Sequence, residues 1–327
     1  MKAVQISKTG GPEVLEGVDL QTPRPGPGKV LVRAASISVN FADVMIRQGT
    51  YVSMPSLPAV LGMEQSGFVE ALGEGVRGFE RGQRVVLMGQ RCYAEYAVAD
   101  AGSLFPLPES LDLDAAAALP VNYLTAYHML HTLGHLAPGQ RVLVHAAAGG
   151  VGTAVIQLGR LAGLTVIGLA SSEEKCAFAR AQGIDHTINT RTEDVVARVR
   201  EITAGRGVDL VLDAVAGDDF GKNFEMLAPL GQIIWFGMAS GPPKANLTRH
   251  LAADFARGVG VRVFHLGFSL AVPYPELLRL SMATMIQYLA EKKIRPHIHA
   301  RLPLAEAASA HEMLESRGVM GKLILRP

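Results

Sequence analysis

Two different patterns of hydrophobic and polar positions divide the chain. Up to Pro120, short apolar stretches such as "KVLVRAASISV", "SGFVEAL" and "RVVLM" are separated by turn sequences rich in Gly and Pro, among them "PRPGPG". Short strands bounded by such turns are typical of all-β units. The pattern therefore predicts a barrel-like β unit in the first part of the chain.

From Arg141 onward, strand and helix patterns alternate. Runs of Val, Ile and Leu such as "RVLVHAA", "TVIGLA", "VDLVLDAVA" and "GQIIWFG" are each followed by a helical pattern or a turn, and "VRVFHL" adds a last candidate strand. Such strands indicate a parallel sheet with helices on both faces. A long helix is expected from about Pro275 to Lys293, and the strand candidates "PHIHARLPL" and "GKLILRP" then return to the first unit.

The composition limits the classes of function. The chain has 327 residues, enough for two domains, and a net charge of +1 without a Lys/Arg run, so strong nucleic-acid binding is not expected. No apolar run approaches the roughly 18 residues that a membrane span needs, and the first residues lack the apolar segment of a secretory signal. Cys92 and Cys176 lie far apart, which favours a reducing, cytoplasmic setting.

The glycine cluster in "VHAAAGGVG" carries the clearest chemistry. Gly149 and Gly152 match the second and third glycines of the G-x-G-x-x-G dinucleotide fingerprint, and Ala147 takes the place of the first. Gly149 would let the backbone approach a pyrophosphate, Gly152 would let a helix pack on the strand, and the helix N-terminus would offer N–H groups to the anion. A tight turn without a ligand is the alternative, and the alternating β/α context argues against it.

The end of the second strand of this series bears on the choice between NADPH and NADH. An NAD site places Asp or Glu there to hold the ribose 2′-OH, but this chain has Ser171 and Ser172, followed by Lys175. Hydroxyls beside an ammonium suit a 2′-phosphate, so NADPH is the predicted cofactor. A plain helix N-cap, with Glu173 and Glu174 in the first turn, explains the same residues, and both roles are compatible.

No metal or nucleophile site is evident in the sequence. His128, His131 and His135 are expected on one stripe of a helix, and no Cys, Asp or Glu stands beside them at ligand spacing. There is no four-cysteine cluster and no G-x-S-x-G elbow. We therefore predict a site without metal and without a covalent nucleophile.

Several segments resemble the medium-chain dehydrogenase/reductase superfamily, and within it the zinc-free quinone oxidoreductases of zeta-crystallin type. They are "NFADVMIRQGTY", "LGMEQSG", "LPVNYLTAY", "VHAAAGGVG" and the final "GKLIL", while "FGMASG" and "VFHLGF" are most similar to a branch that includes the vesicle-membrane-protein homologues. The resemblance covers essentially the whole chain. It implies an α/β fold with a Rossmann-type doubly wound parallel sheet in residues 124–269 and a β-rich GroES-like catalytic domain formed by residues 1–123 and 270–327.

The resemblance also implies roles for individual residues. Asn40 and Tyr51 are the candidate catalytic residues: Asn40 would lie at the nicotinamide ribose and the substrate mouth, and Tyr51 would wall the pocket and is the one candidate proton donor. Met45, Met63 and Phe264 would line the substrate pocket. The residues implied at the cofactor are Asn40, Thr125, Gly149, Gly150, Val151, Ser171, Lys175, Asn189, Phe236, Gly237, Phe264 and Leu266.

Comparison with the zinc alcohol dehydrogenases agrees with a metal-free site. Those enzymes have a cysteine ligand where this chain has Asn40, and Gly-His-Glu where it has Gly62, Met63 and Glu64. An amide and a thioether in those places do not form a zinc site.

The chain departs from many quinone oxidoreductases at two positions. Met45 replaces a tyrosine in the pocket, which changes the contacts open to a quinone. Thr190 replaces a tyrosine at the 2′-phosphate, which leaves Arg191 as a substitute contact or weakens the preference for NADPH.

The sequence thus predicts an NADPH-dependent quinone oxidoreductase that transfers a hydride, or single electrons, in an apolar pocket. Such a pocket favours orientation and exclusion of water, and Asp43 and Glu64 are expected to hold loops through hydrogen bonds. One alternative is an NADPH-dependent reductase of α,β-unsaturated carbonyls (enones), and another is a nucleotide-regulated binding protein associated with RNA or membranes. The apolar strand "VRVFHL" would form a sheet edge, and pairing with a second copy predicts a homodimer.

Overall fold

The computed structural model describes residues 1–327 and contains sixteen β-strands and ten α-helices. The strands are β1 (Lys2–Ile6), β2 (Leu15–Asp19), β3 (Lys29–Val39), β4 (Ala59–Val60), β5 (Glu64–Leu72), β6 (Arg84–Met88), β7 (Tyr96–Asp100), β8 (Leu104–Pro106), β9 (Arg141–Val144), β10 (Thr165–Ala170), β11 (His186–Asn189), β12 (Val208–Asp213), β13 (Leu227–Trp235), β14 (Gly260–Val263), β15 (Ile298–Pro303) and β16 (Lys322–Arg326).

The helices alternate with the strands mainly in the middle of the chain. They are α1 (Phe41–Gln48), α2 (Leu113–Ala117), α3 (Pro120–Tyr127), α4 (Gly150–Leu161), α5 (Glu173–Ala181), α6 (Val195–Ile202), α7 (Lys222–Met226), α8 (Leu247–Ala253), α9 (Pro275–Ala290) and α10 (Ala307–Glu315). Two π-helical turns, His128–Leu133 and Leu266–Ala271, add to them. No helix combines the length and the apolar character that crossing a membrane requires.

The chain forms two compact units. The first consists of Met1–Leu124 together with Pro275–Pro327, and the second consists of Thr125–Tyr274. The division expected from the sequence places the boundaries after residues 123 and 269.

The first unit is built on two β-sheets around one hydrophobic core. Its larger sheet has the strand order β15-β16-β3-β5-β6-β8, with β7 also paired to β3, and its smaller sheet has the order β2-β1-β4. The long strand β3 is the centre of the larger sheet because it pairs with β16, β5 and β7. The C-terminal strand β16 thus returns to the first part of the chain and runs antiparallel to β3.

A short helix, α1, interrupts the β-rich unit directly after β3. Asn40 is extended and precedes the helix, and the carboxylate of Asp43 accepts a hydrogen bond from the Asn40 N–H over 2.9 Å. Gly49 ends the helix with a φ of 79°, a left-handed conformation that glycine adopts at low cost. The cap fixes the position of Asn40 on this unit.

The second unit is a six-stranded sheet in the order β11-β10-β9-β12-β13-β14, and all its strand pairs are parallel. This is the order of a Rossmann fold, in which two β-α-β halves start from neighbouring central strands. Central residues such as Leu143, Ile167 and Val211 are fully buried because helices cover both faces of the sheet. The predicted fold class, a doubly wound parallel sheet together with a β-rich unit, is confirmed.

One local prediction is wrong. His128 and His131 lie in the first π-helical turn, but His135 lies beyond it with a φ of 47°. The three histidines therefore do not share one helical stripe, because the chain leaves the helix at Gly134.

Candidate active site

The glycine turn joins β9 to α4 at the carboxyl edge of the parallel sheet. A Cβ atom on Gly152 would lie 2.5 Å from the carbonyl oxygens of Ala146 and Ala147, so only glycine fits there. A Cβ atom on Gly149 would approach only the Ala146 oxygen, at 3.2 Å, which leaves its other side open. Gly150 and Val151 form the first turn of a 12-residue helix, whose N–H groups can bind an anion. The turn therefore fits a diphosphate.

A further glycine, outside the fingerprint, supports this turn. A Cβ atom on Gly168 in β10 would lie 2.6 Å from the Cβ of Ala147 and 2.4 Å from the Cδ1 of Ile184. Glycine is unfavourable inside a buried strand, so its presence in "TVIGLA" was the available indication of a close approach.

The ends of β10 and β11 bring together the residues predicted for the 2′-phosphate. Lys175 Nζ donates a hydrogen bond to Ser171 Oγ over 3.3 Å, and Ser172 Oγ caps α5 by accepting from the Lys175 N–H. Asn189 lies beside Ala170 in the parallel register, so it neighbours Ser171 across the strands. The N-cap alternative thus holds for Ser172, and Ser171 remains paired with the ammonium.

The opposite end of the same edge carries the residues predicted for the nicotinamide end of the cofactor. Phe236 and Gly237 follow β13, and Phe264 and Leu266 follow β14, whose last residues pair as Trp235 with Val263. The Phe264 N–H donates to the Trp235 carbonyl over 2.9 Å, which holds the two strand ends together. Thr125, in α3, is buried.

A buried network that was not predicted from the sequence lies in the middle of this edge. His145 Nε2 is 2.9 Å from Asn223 Oδ1, and Asn223 Nδ2 donates to the carboxylate of Asp213 over 2.7 Å. The same carboxylate accepts from the N–H groups of Val215 and Ala216. Asp213 thereby fixes the loop after β12. The sign of this role in the sequence was an acid at the end of a buried strand.

In the first unit, four polar residues form what we call the buried polar cluster: Asn40, Asp43, Glu64 and Lys322. Lys322 Nζ donates to Asn40 Oδ1 over 2.6 Å and lies 2.8 Å from Glu64 Oε1. Asn40 Nδ2 also donates to Glu64 Oε1, over 2.9 Å, and Glu64 Oε2 accepts from the Val121 N–H. Charges buried in this way need partners, and here each has them.

Asp43 holds the backbone around the buried polar cluster. Its carboxylate accepts from the N–H groups of Asn40 and Gly62 and from the hydroxyl of Tyr93, at 2.9, 3.2 and 3.3 Å. Burial raises the pKa of Asp43 to about 7, although the hydrogen bonds from the Asn40 and Gly62 N–H groups and the Lys322 charge oppose the rise. The expectation that Asp43 and Glu64 hold loops through hydrogen bonds is confirmed.

The other pocket candidates of the first unit are half-buried. Tyr51 and Met63 pack against the hydrophobic core of this unit, and Met45 lies on α1. Burial, with a contribution from the Asp43 charge, raises the pKa of Tyr51 to about 12, which makes its hydroxyl a weaker acid than an ordinary tyrosine. Phe264, the remaining pocket candidate, belongs to the second unit.

A cavity of about 440 Å³ lies elsewhere, at the amino ends of β12 and β13. Its walls include Arg200, Arg206, Gly207, Leu227 and Arg257. Since ligands of open parallel sheets bind at the carboxyl ends of the strands, this cavity is not the dinucleotide site.

The six-stranded Rossmann sheet, its glycine turn and the β-rich unit define a medium-chain dehydrogenase/reductase. Residues 26–109 match the family described as "Alcohol dehydrogenase GroES-like domain", and residues 150–280 match the family described as "Zinc-binding dehydrogenase". The chain is 36% identical over 339 residues to the quinone oxidoreductase of Pseudomonas aeruginosa, and the match covers 100% of this chain and 99% of the relative.

Two further comparisons place the chain among the same proteins. It is 36% identical to the human synaptic vesicle membrane protein VAT-1 homolog over 321 residues, 93% of this chain and 80% of the relative. The crystal structure of Escherichia coli quinone oxidoreductase complexed with NADPH matches with a TM-score of 0.93, at 32% identity and with both chains fully covered. The chain belongs to the zeta-crystallin-type quinone oxidoreductase family.

The name of one matched family refers to zinc, but the residues of this chain do not fit that ion. Asn40 Oδ1 and Glu64 Oε1 are both occupied by the Lys322 ammonium, and a second cation beside it would be repelled. No group of three or more His, Cys, Asp or Glu side chains is placed to hold a metal.

Proposed function

We propose that the chain reduces quinones with NADPH, by transfer of a hydride or of electrons, in an apolar pocket without a metal. The observation that carries this proposal is the order of predicted cofactor residues along one sheet edge. Ser171, Lys175 and Asn189 lie at one end, the glycine turn lies near the centre, and Phe236 and Phe264 lie at the other end. An extended dinucleotide needs this order of contacts.

NADPH fits the first end of this edge better than NADH does. No Asp or Glu follows β10 directly to receive a ribose 2′-OH, whereas the Ser171 hydroxyl and the Lys175 ammonium suit a phosphate. Arg191, two residues after Asn189, is a further candidate contact. The Escherichia coli structure complexed with NADPH supports the same choice.

A quinone suits the residues proposed for the acceptor pocket. Met45, Tyr51 and Met63 in the first unit offer apolar and aromatic surface, and Tyr51 is a weak acid. A quinone needs little acid–base assistance because its reduced oxygens exchange protons with water. The bound nicotinamide would supply the hydride, and the protein would supply orientation and exclusion of water.

Binding and turnover test the proposal separately. Fluorescence titration should show tighter binding of NADPH than of NADH. Stopped-flow oxidation of NADPH by a panel of quinones should then show turnover. If no quinone is reduced while an α,β-unsaturated carbonyl is reduced readily, the enone reductase alternative replaces the proposal.

We also propose that the protein is a homodimer joined through β14. This strand lies at the edge of the parallel sheet, and its last residue, Val263, is 64% exposed. An unpaired apolar edge favours pairing with another strand, and an antiparallel copy of itself satisfies a two-fold axis.

A further inference from the structure

Lys322 lies in the final segment "GKLIL", but nothing in the sequence assigned it to the candidate site. In the antiparallel pair of β16 and β3, Leu323 lies opposite Val39. Lys322, one residue earlier, therefore falls beside Asn40, one residue after Val39. Lys322 and Asn40 are each only 5% exposed, and Glu64 is fully buried.

The side chains of Lys322 and Asn40 have more N–H donors than the buried polar cluster uses. A lysine ammonium has three N–H donors, and Lys322 directs two of them to Asn40 Oδ1 and Glu64 Oε1. The Asn40 amide has two N–H donors, and one of them is bonded to Glu64. Because Lys322 also occupies the amide oxygen, the Asn40 amide is held in one orientation. One N–H of each residue remains for a ligand.

We propose that Lys322 and Asn40 form a pair of hydrogen-bond donors for the carbonyl oxygen of the acceptor as negative charge develops on it. This inference rests on the proposed function. In the reaction, the hydride brings two electrons and one proton to the quinone, NADPH becomes NADP⁺, and the quinone becomes a hydroquinone monoanion. A proton from water then gives the neutral hydroquinone, so Lys322 donates a hydrogen bond and remains an ammonium. An enone develops charge on its carbonyl oxygen in the same way.

The alternative is that Lys322 only neutralises Glu64. Replacing one partner of a buried ion pair destabilises a protein, because the other charge is left unpaired. The double variant Lys322→Met/Glu64→Gln removes both charges and keeps a side-chain oxygen on residue 64 that can accept from the Asn40 amide, so it separates the two roles. A role in neutralisation predicts that the double variant recovers turnover, whereas a role as donor predicts that turnover stays low.

Kinetics give the first test. Removing one donor to a developing oxyanion typically lowers kcat about 10²–10³-fold, and we expect that loss for Lys322→Met and for the double variant, with the Kd of NADPH unchanged. Lys322→Arg, which keeps a cationic donor, should retain more activity. Arg326→Met is the matched control, because Arg326 lies on the same strand and pairs with the buried Asp114, away from Asn40. A kcat for Lys322→Met close to that of the unmutated protein, or recovery in the double variant, would overturn the proposal.

A spectroscopic test does not depend on turnover. 4-Nitrophenol absorbs visible light as the phenolate and resembles a reduced acceptor with one oxyanion. At the pH where half of the free compound is ionised, binding to the NADP⁺-loaded protein should increase the phenolate fraction. Lys322→Met should abolish this increase and Arg326→Met should preserve it. An equal increase in all three proteins would contradict a role for Lys322.

The two tests distinguish failure of this inference from failure of the proposed function. If neither a quinone nor an enone is reduced by the unmutated protein with NADPH, the proposed function is wrong. The 4-nitrophenol titration still decides whether Lys322 stabilises an oxyanion. If quinones are reduced but Lys322→Met is as fast as the unmutated protein, only the inference about Lys322 is wrong.

Discussion

The candidate sites of the two units are made from different parts of the chain. In the second unit the site consists mainly of backbone: glycines, a helix N-terminus and strand ends provide N–H groups and open space. In the first unit it consists of side chains that are buried and bonded to one another, with Lys322, Asn40 and Glu64 at the centre. The site of the second unit is therefore sensitive to added atoms. The site of the first unit is sensitive to the loss of a charge or of a hydrogen-bond donor.

The largest effect is expected from an added methyl group in the glycine turn. Gly→Ala inside a helix normally stabilises a protein by about 1 kcal/mol. At Gly152 the new Cβ would meet two carbonyl oxygens at 2.5 Å, so we expect Gly152→Ala to destabilise instead, by roughly 1–3 kcal/mol, and to abolish NADPH binding. Urea unfolding and fluorescence titration measure the two effects.

Gly102→Ala is the control for this prediction. Gly102 lies outside the glycine turn and outside β14, and its added Cβ would meet nothing within 4 Å. We expect a change in the free energy of unfolding of no more than about 0.5 kcal/mol. Equal behaviour of the two variants would contradict the account of the turn.

The next effect concerns the charge of Asp43. Its pKa in the folded protein is about 7, above the ordinary value of 3.8, so the folded state holds the proton more tightly than the unfolded state. Its stabilising contribution is present at low pH and is lost as the pH rises from about 4 to 7. The free energy of unfolding should fall over this range by up to about 4 kcal/mol relative to Asp43→Asn.

Urea unfolding at several pH values measures this slope. Asp100→Asn, which removes an acid from an exposed ion pair with Lys29 in the same unit, should leave the slope intact. If the free energy of unfolding changes with pH in the same way for Asp43→Asn and for the unmutated protein, Asp43 does not titrate in that range.

A smaller effect is expected at the 2′ end of the dinucleotide edge. Lys175→Gln removes the ammonium beside Ser171, so the Kd of NADPH should rise about tenfold while the Kd of NADH stays nearly constant. Lys222→Gln, at an exposed ion pair with Asp219 in the same unit, is the control and should change neither value. An equal loss of affinity for both nucleotides would show that Lys175 does not bind a 2′-phosphate.

A substitution in the edge strand β14 should have the smallest effect on the stability and nucleotide binding of each chain. Val263→Glu places a charge on β14 and should convert a homodimer to a monomer, as measured by light scattering, with little change in NADPH binding. Val52→Glu, at an exposed valine of the other unit, should leave the dimer intact. A monomeric unmutated protein would refute the proposed dimer.

Much of the fold was predictable because it depends on local patterns. Alternation of apolar strands and helices indicated the parallel sheet, and Gly149 and Gly152 lay in a recognisable context between a strand and a helix. Helix α1 was not predicted, because the β-rich pattern around it dominated and its cap depends on Asp43 reaching back to Asn40. The close packing at Gly168 was not predicted, because the residues that leave no room for a Cβ there, Ile184 and Ala147, are distant along the chain.

The sequence by itself determined the fold class, the dinucleotide turn and the candidate residues along the sheet edge, since each depends on short-range spacing and residue type. Only the tertiary structure decided that Lys322 joins Asn40 and Glu64. Lys322 is far from both along the chain, and the three residues meet because β16 returns to pair with β3. A buried ammonium requires nearby acceptors, and which acceptors surround it is a property of strand pairing rather than of any local motif.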